Sequence, residues 1–201
     1  NIMKHVYEQG TNGKTLIMLH GTGGDEYDLI PLAKHIDPHA NILSIRGNVQ
    51  EYGMPRFFKR LAMGVFDQDS LIEETYNLRD FIQESSINYG FDPHQTIVVG
   101  YSNGANIAAS LLLHFDQIFH RAILFRAMVP IRKDDHNNLE GVKILLLSGQ
   151  HDQTVPQGEP EQLQTFFEHR HATVELKWID HGHQLTKDEL EYAKAWYQQN
   201  T

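Results

Sequence analysis

Residues 95–114, QTIVVGYSNGANIAASLLLH, constrain the fold more than any other stretch of the chain. A β-branched apolar run ends in Gly100-Tyr101-Ser102-Asn103-Gly104 and passes at once into an Ala-rich segment with helical spacing. A strand delivered straight into a helix by so short a turn is half of a βαβ unit. The rest of the sequence repeats this alternation. Apolar runs recur at 15–20, 41–46, 95–101, 121–128, 143–148 and 173–179, and helical spacing is found at about 26–36, 70–89, 104–114, 158–170 and 186–199. The runs are short and mostly do not alternate with polar residues, as expected of strands buried on both faces. The expected class is therefore α/β, with a doubly wound, mostly parallel sheet, helices on both faces, and a site outside the carboxyl ends of the strands. Before the first long run, HVYEQGTNGKTLIM predicts a hairpin that turns at Thr11-Asn12-Gly13.

At 201 residues the sequence is read as one domain, 1–201. Met3 lies inside the first segment, so Asn1 and Ile2 are expected to precede the natural start and are set aside. The longest connection, Gly47 to Asp69, begins where a central strand ends and is expected to border the site. Only about 14 residues join the runs at 121–128 and 143–148, which leaves no room for a cap domain. The site should be open to solvent. With 26 acidic against 17 basic residues the net charge is -9, a field that repels phosphate backbones and anionic membranes, so nucleic acid is an unexpected partner. The apolar runs fall far short of a bilayer span, and no membrane insertion is expected. No cysteine is present, which excludes disulfides and thiolate chemistry and points to the cytoplasm. A homodimer is allowed by the sequence but not specified by it.

Chemistry concentrates on Ser102. In Gly-x-Ser-x-Gly between strand and helix, the glycines permit a strained turn that exposes the hydroxyl, and the helix directs its first amides toward a developing oxyanion. A serine hydroxyl needs a base and an acid to orient that base. Asp152 follows the run KILLLSG, and His183 lies in DHGHQL before the last helix, giving the chain order Ser, acid, His. Asp180 and His181 are rivals from the same loop. Asp180 is too near His183 to come from a separate strand end, and Gly182-His183 is the better start of a turn. The histidines His20, His181 and His183 lack a metal-binding spacing, so no metal is expected. The loop His20-Gly21-Thr22-Gly23-Gly24 offers an inward amide, that of Thr22, to pair with the amide of Asn103 as an oxyanion hole. Asp25 and Glu26 argue against a phosphate loop there.

Taken together, LHGTGGDE, GYSNGA, GQHDQTVP and DHGHQL resemble the phospholipase/carboxylesterase family of α/β-hydrolases, over nearly the whole chain. The segment SIRGNVQEYGMPRFFKRLAMGVFDQDSL is similar to bacterial carboxylesterases of the hydroquinone-resistance type. The resemblance implies an α/β-hydrolase fold and a serine carboxylesterase that needs no cofactor and cleaves small, short-chain esters through an acyl-enzyme on Ser102. The alternatives are an acyl thioesterase or lysophospholipase with the same triad, or a non-catalytic ligand-binding relative. Dienelactone hydrolases, a related branch, use a Cys nucleophile that this chain lacks. Met54, Phe57, Phe58, Met63 and Phe66 in the long connection, with Val155 opposite, are the expected apolar wall of the substrate pocket. Arg56, Lys59 and Arg60 read as a solvated basic face.

Overall fold

The computed structural model describes residues 2–133 and 135–201; Asn1, set aside above, lies outside them. The strands are β1 (His5–Glu8), β2 (Thr15–Leu19), β3 (Asn41–Ile45), β4 (Val49–Glu51), β5 (Met54–Arg56), β6 (Arg60–Ala62), β7 (Val65–Phe66), β8 (Thr96–Tyr101), β9 (Arg121–Phe125), β10 (Lys143–Gly149) and β11 (Thr173–Ile179). The helices are α1 (Ile30–Ile36), α2 (Gln68–Tyr89), α3 (Asn103–His114), α4 (Glu159–Glu168) and α5 (Lys187–Asn200).

Seven strands form one sheet in the order β1-β3-β2-β8-β9-β10-β11, parallel except at the β1 edge. Successive residues of each central strand feed opposite faces. Leu16 and Met18 of β2 pack with α1 and α5, while Ile17 and Leu19 pack with α2 and α3. The same division holds in β8, where Ile97 and Val99 face one way and Val98 the other. Helices on both faces are thus the physical counterpart of runs that are apolar at every position.

After β2 the chain crosses to β3 on one side, then returns to β8 on the other. That reversal opens a crevice between the carboxyl ends of β2 and β8, the place where doubly wound sheets hold ligands. Register sets Leu19 of β2 beside Gly100 of β8. The helix after β8 presses closely here, because a Cβ on Gly104 would fall 2.0 Å from the Leu19 carbonyl oxygen.

Three local expectations are corrected. No hairpin forms at Thr11–Gly13: β1 pairs antiparallel with β3, not with β2. Both edges of β2 are already taken by β3 and β8, so the first strand caps the free edge of β3 instead. Helix α1 begins at Ile30 rather than near 26. Pro31 lacks an N–H and its ring would collide with the Tyr27 carbonyl in a longer helix, while Asp25 Oδ1 accepts from Tyr27 N–H at 2.9 Å and closes a turn. The connection from Gly47 to Asp69 is not irregular throughout, since it contains two small antiparallel ribbons, β4–β5 and β6–β7.

His20, at the end of β2, fastens this connection to the sheet. Its Nδ1 bonds the Gly21 carbonyl oxygen at 2.6 Å and its Nε2 accepts from Gly47 N–H at 3.0 Å, which requires a neutral ring. Burial pushes its pKa below the ordinary histidine value, and outweighs the Gly21 bond and the nearby Asp28, Asp25 and Glu26, which act the other way. Burial lowers His114 and His120 as well.

Two outcomes follow. Gly104→Ala is expected to destabilise the protein by about 3 kcal/mol, since backbone rather than a flexible side chain must yield; urea unfolding measures it. For His20 the unfolded chain binds a proton at about pH 6.5 and the folded chain only below that. Between those values the unfolded state holds more protons, so stability is complete above about pH 6.5 and declines on acidification through it. Urea unfolding at pH 7.5 and pH 5.5 should show this loss, and His20→Gln should reduce it. An unchanged pH slope in that variant would contradict the reading.

Candidate active site

The turn between β8 and α3 carries Ser102 at φ 54° and ψ −112°, a left-handed backbone that costs a serine energy. It is held from both sides: Ser102 N–H donates to the Phe125 carbonyl of β9 at 2.9 Å, and the Ser102 carbonyl accepts Asn106 N–H at 2.9 Å. The result lifts the hydroxyl above the sheet. Its Oγ is 2.8 Å from His183 Nε2, and His183 Nδ1 is 2.7 Å from Asp152 Oδ2. The three residues that sequence order singled out stand in one hydrogen-bonded row, contributed by the ends of β8, β10 and β11. The rival acid does not join it. Asp180 bonds His151 at 2.7 Å on the exposed surface, and the Asp152 side chain is only 2 % exposed.

Burial raises the Asp152 pKa, but hydrogen bonds from His183 and from the hydroxyl and amide of Thr154 more than offset it and hold the group below the ordinary aspartate value. It therefore remains a carboxylate facing the imidazole throughout the neutral range. Thr154 is a participant the sequence reading missed. Its Oγ1 donates to Asp152 Oδ1 at 2.7 Å and lies 2.8 Å from His183 Nδ1, so it braces both partners.

Arg126 was missed too. It sits at φ 61° just beyond β9, fully buried, and its guanidinium donates to the carbonyls of Gly182 and Gln184 at 2.9 Å each, the residues on either side of His183. Glu189 of α5 answers the charge with two contacts of 2.7 and 2.9 Å, and both side chains are 0 % exposed. The same carboxylate accepts from Thr186 N–H at 2.8 Å in a capping box at the start of α5. One buried ion pair thus fixes the histidine loop to both sheet and helix. The signals were present as an arginine inside the apolar stretch AILFRAMV and as Thr186-x-x-Glu189.

Two amides remain available. The N–H of Thr22 has no acceptor among the described residues, and that of Asn103 is the first of α3, where the helix supplies none. Both residues line the cleft of ≈ 420 Å³ that also contains Ser102 and His183. Phe66, Met63, Met128 and Val155 supply its apolar surface.

Part of the expected wall lies elsewhere. Phe57 and Phe58 are buried in the core, at 1 % and 0 % exposure, and Met54 lies against Gly23 outside the cleft. Phe57 N–H donates to Asn103 Oδ1 at 2.7 Å, which pins β5 onto the serine turn. The rings then turn inward, Phe57 against His20 and Phe58 against Phe66. Nor is the basic cluster a solvated face. Lys59 is exposed, but Arg60 is half-buried and Arg56 buried, and these two line the cleft. Among the described residues no group of three or more His, Asp or Glu side chains is placed to hold a metal ion, and no helix is long and apolar enough to cross a membrane.

Comparison with known proteins identifies the family. The phospholipase/carboxylesterase family model matches residues 4–200. The chain is 46% identical over 197 residues to MhqD of Bacillus subtilis (strain 168), a protein named as a hydrolase, covering 98% of each. A carboxylesterase from Bacillus cereus superposes with a TM-score of 0.97 at 45% identity, over 100% of this chain and 95% of that one. YahD, solved with malic acid, gives 0.94 at 33% identity over the full length of both chains. An α/β-hydrolase sheet without a cap domain, a match over almost its entire length and relatives named as hydrolases and carboxylesterases make this chain a member of the phospholipase/carboxylesterase family and a hydrolase.

Proposed function

We propose that the protein is a serine carboxylesterase that hydrolyses small, short-chain carboxylic esters through an acyl-enzyme on Ser102. The observation that carries this reading is the unbroken row from Ser102 Oγ through His183 to Asp152, with contacts of 2.8 and 2.7 Å, beside two amides that have no acceptor among the described residues, in an open cleft.

In this mechanism Ser102 Oγ attacks the ester carbonyl carbon while His183 Nε2 takes the hydroxyl proton. The carbonyl oxygen becomes an oxyanion held by the amides of Thr22 and Asn103. Asp152 keeps the imidazole in the tautomer that presents a bare Nε2 to the serine and then stabilises the imidazolium. The tetrahedral intermediate collapses, His183 protonates the departing alcohol, and the acyl group remains on Ser102. Water then repeats the sequence, with His183 as base, and releases the acid. No step calls for a cofactor.

Cleft size and lining support a small acyl group. Arg56, Arg60 and Asn106 interrupt the apolar surface, so a long alkyl chain would have to lie against charged groups. That disfavours the lysophospholipase alternative, and a bound row of three catalytic groups disfavours a purely ligand-binding role. Malic acid, with which YahD was solved, is itself a small acid. The absence of cysteine fits a reducing compartment, and the cytoplasm is the proposed location.

A p-nitrophenyl ester series from acetyl to dodecanoyl, with matched thioesters, tests the reading. Turnover should be greatest at short acyl lengths. Ser102→Ala or His183→Ala should each reduce kcat by about 10⁴- to 10⁶-fold, and Asp152→Asn by about 10⁴-fold. Near-normal turnover by Ser102→Ala would remove the assignment, and a preference for thioesters or for the longest chains would replace the substrate class.

A further inference from the structure

The cleft beside Ser102 is lined by Arg56, Arg60 and Arg126 and, among the described residues, by no aspartate or glutamate, in a chain whose net charge is -9. Two of these arginines are neutralised. Glu189 takes Arg126 in a pair of short contacts. Glu51 takes Arg60 through Nε and Nη2, with bonds of 2.7 to 3.2 Å that occupy both carboxylate oxygens. Arg56 has only a share of that same carboxylate. Its Nε is 3.8 Å from Glu51 Oε2, within ion-pair range but beyond hydrogen-bond distance, and both Glu51 oxygens are already bonded to Arg60.

Arg56 is nevertheless 2 % exposed, and its guanidinium lies against the Phe58 ring. Of its five N–H donors, Nε–H bonds the Phe58 carbonyl at 3.0 Å and one Nη1–H bonds Thr22 Oγ1 at 2.6 Å. Nη2 has no acceptor among the described residues. Burial, and then the neighbouring Arg60, push the Arg56 pKa down to about 10, Glu51 opposing them, as expected of a cation short of counter-charge. In the same wall the buried Nδ2 of Asn103 also has no acceptor among the described residues. A buried, under-neutralised guanidinium facing a cleft is costly unless something anionic completes it. Its planar fork is suited to a carboxylate.

We infer that Arg56 forms a carboxylate subsite, and that the preferred substrates are small esters bearing a free carboxylate, such as half-esters of short dicarboxylic acids. The inference rests on the esterase reading above and specifies its substrate class. Position favours the acyl side: Arg56 is bonded to the side chain of Thr22, whose amide is the proposed oxyanion donor. An acyl chain whose carbonyl oxygen meets that amide would bring a carboxylate a few methylenes further on toward the guanidinium. The group then acts by binding, without touching the reacting atoms.

The test compares kcat/KM on the p-nitrophenyl half-ester of glutaric acid with that on p-nitrophenyl pentanoate, a neutral ester of the same chain length. The wild type should favour the half-ester by about tenfold or more, as a charge-assisted bidentate contact would give. Arg56→Gln should abolish that ratio, and Arg56→Lys should restore part of it. Equal or poorer hydrolysis of the half-ester by wild type overturns the proposal. So does an Arg56→Gln variant that lowers both esters by the same factor, because that is the signature of a structural role. Should Arg56→Gln fail to fold, competition in wild type decides: glutarate must inhibit pentanoate-ester hydrolysis at lower concentration than pentanoate does, and inhibition no stronger than pentanoate's overturns it. Calorimetry with glutarate on Ser102→Ala separates the two claims. Binding there supports the subsite even if no ester is turned over, which would defeat only the esterase reading, and absence of binding defeats the subsite alone.

Discussion

The structure depends on how closely α3 approaches the carboxyl ends of β2 and β8. At Gly104 a single added methyl would meet the Leu19 carbonyl oxygen, and at Gly100 a Cβ would lie 2.7 Å from the Gly104 oxygen and the Ala105 nitrogen. Only a chain without side chains at both points can turn from strand to helix so abruptly. The serine between them is forced to a positive φ, and that strain is carried by the sheet and by the helix's own hydrogen bonds. Every group in the proposed acyl transfer is referred to this turn. Asn103, the first residue of α3, lines the crevice because the helix starts there, and the crevice exists because the strand order reverses between β2 and β8.

Around that fixed point a second set of interactions holds the histidine loop. A loop crossing the end of a sheet would ordinarily be among the less stable parts of a protein. Here Arg126 grips the carbonyls on both sides of His183, and Glu189 ties the arginine to α5. Such a buried pair adds little net stability compared with apolar packing, yet losing one partner would cost about 3–5 kcal/mol and release the loop. Its value lies in geometry. Thr154 does the same on a smaller scale for the imidazole and its carboxylate.

Much of this was legible in the sequence, for physical reasons. Short runs that are apolar without alternation, such as 144–147, are what strands covered on both faces look like, so the sheet and its helices could be read from them. Ser102, Asp152 and His183 could be placed because each follows a recognisable strand, and strand ends in a parallel sheet gather at one side. Pairing partners were less accessible. Nothing in HVYEQGTNG distinguishes an edge beside β3 from a hairpin with β2, since that choice depends on which edges other strands have occupied. Pro31 did carry the true start of α1. The long connection was misread in detail because burial there is decided by tertiary contact: Phe57 and Phe58 resemble a pocket wall until the bond from Phe57 N–H to Asn103 turns them inward, and Arg56 resembles a surface charge until the same strand carries it beneath the cleft.

The chemistry proposed for this family member rests on a covalent intermediate at the strained serine. The most direct measurement is mass spectrometry of the protein quenched in acid during turnover of a slowly deacylated ester, followed by peptide mapping. The account predicts the added mass of the acyl group on the peptide containing Ser102, appearing with the first equivalent of released alcohol. Sustained ester hydrolysis with no acyl group on Ser102, or with the adduct on another residue, would contradict it.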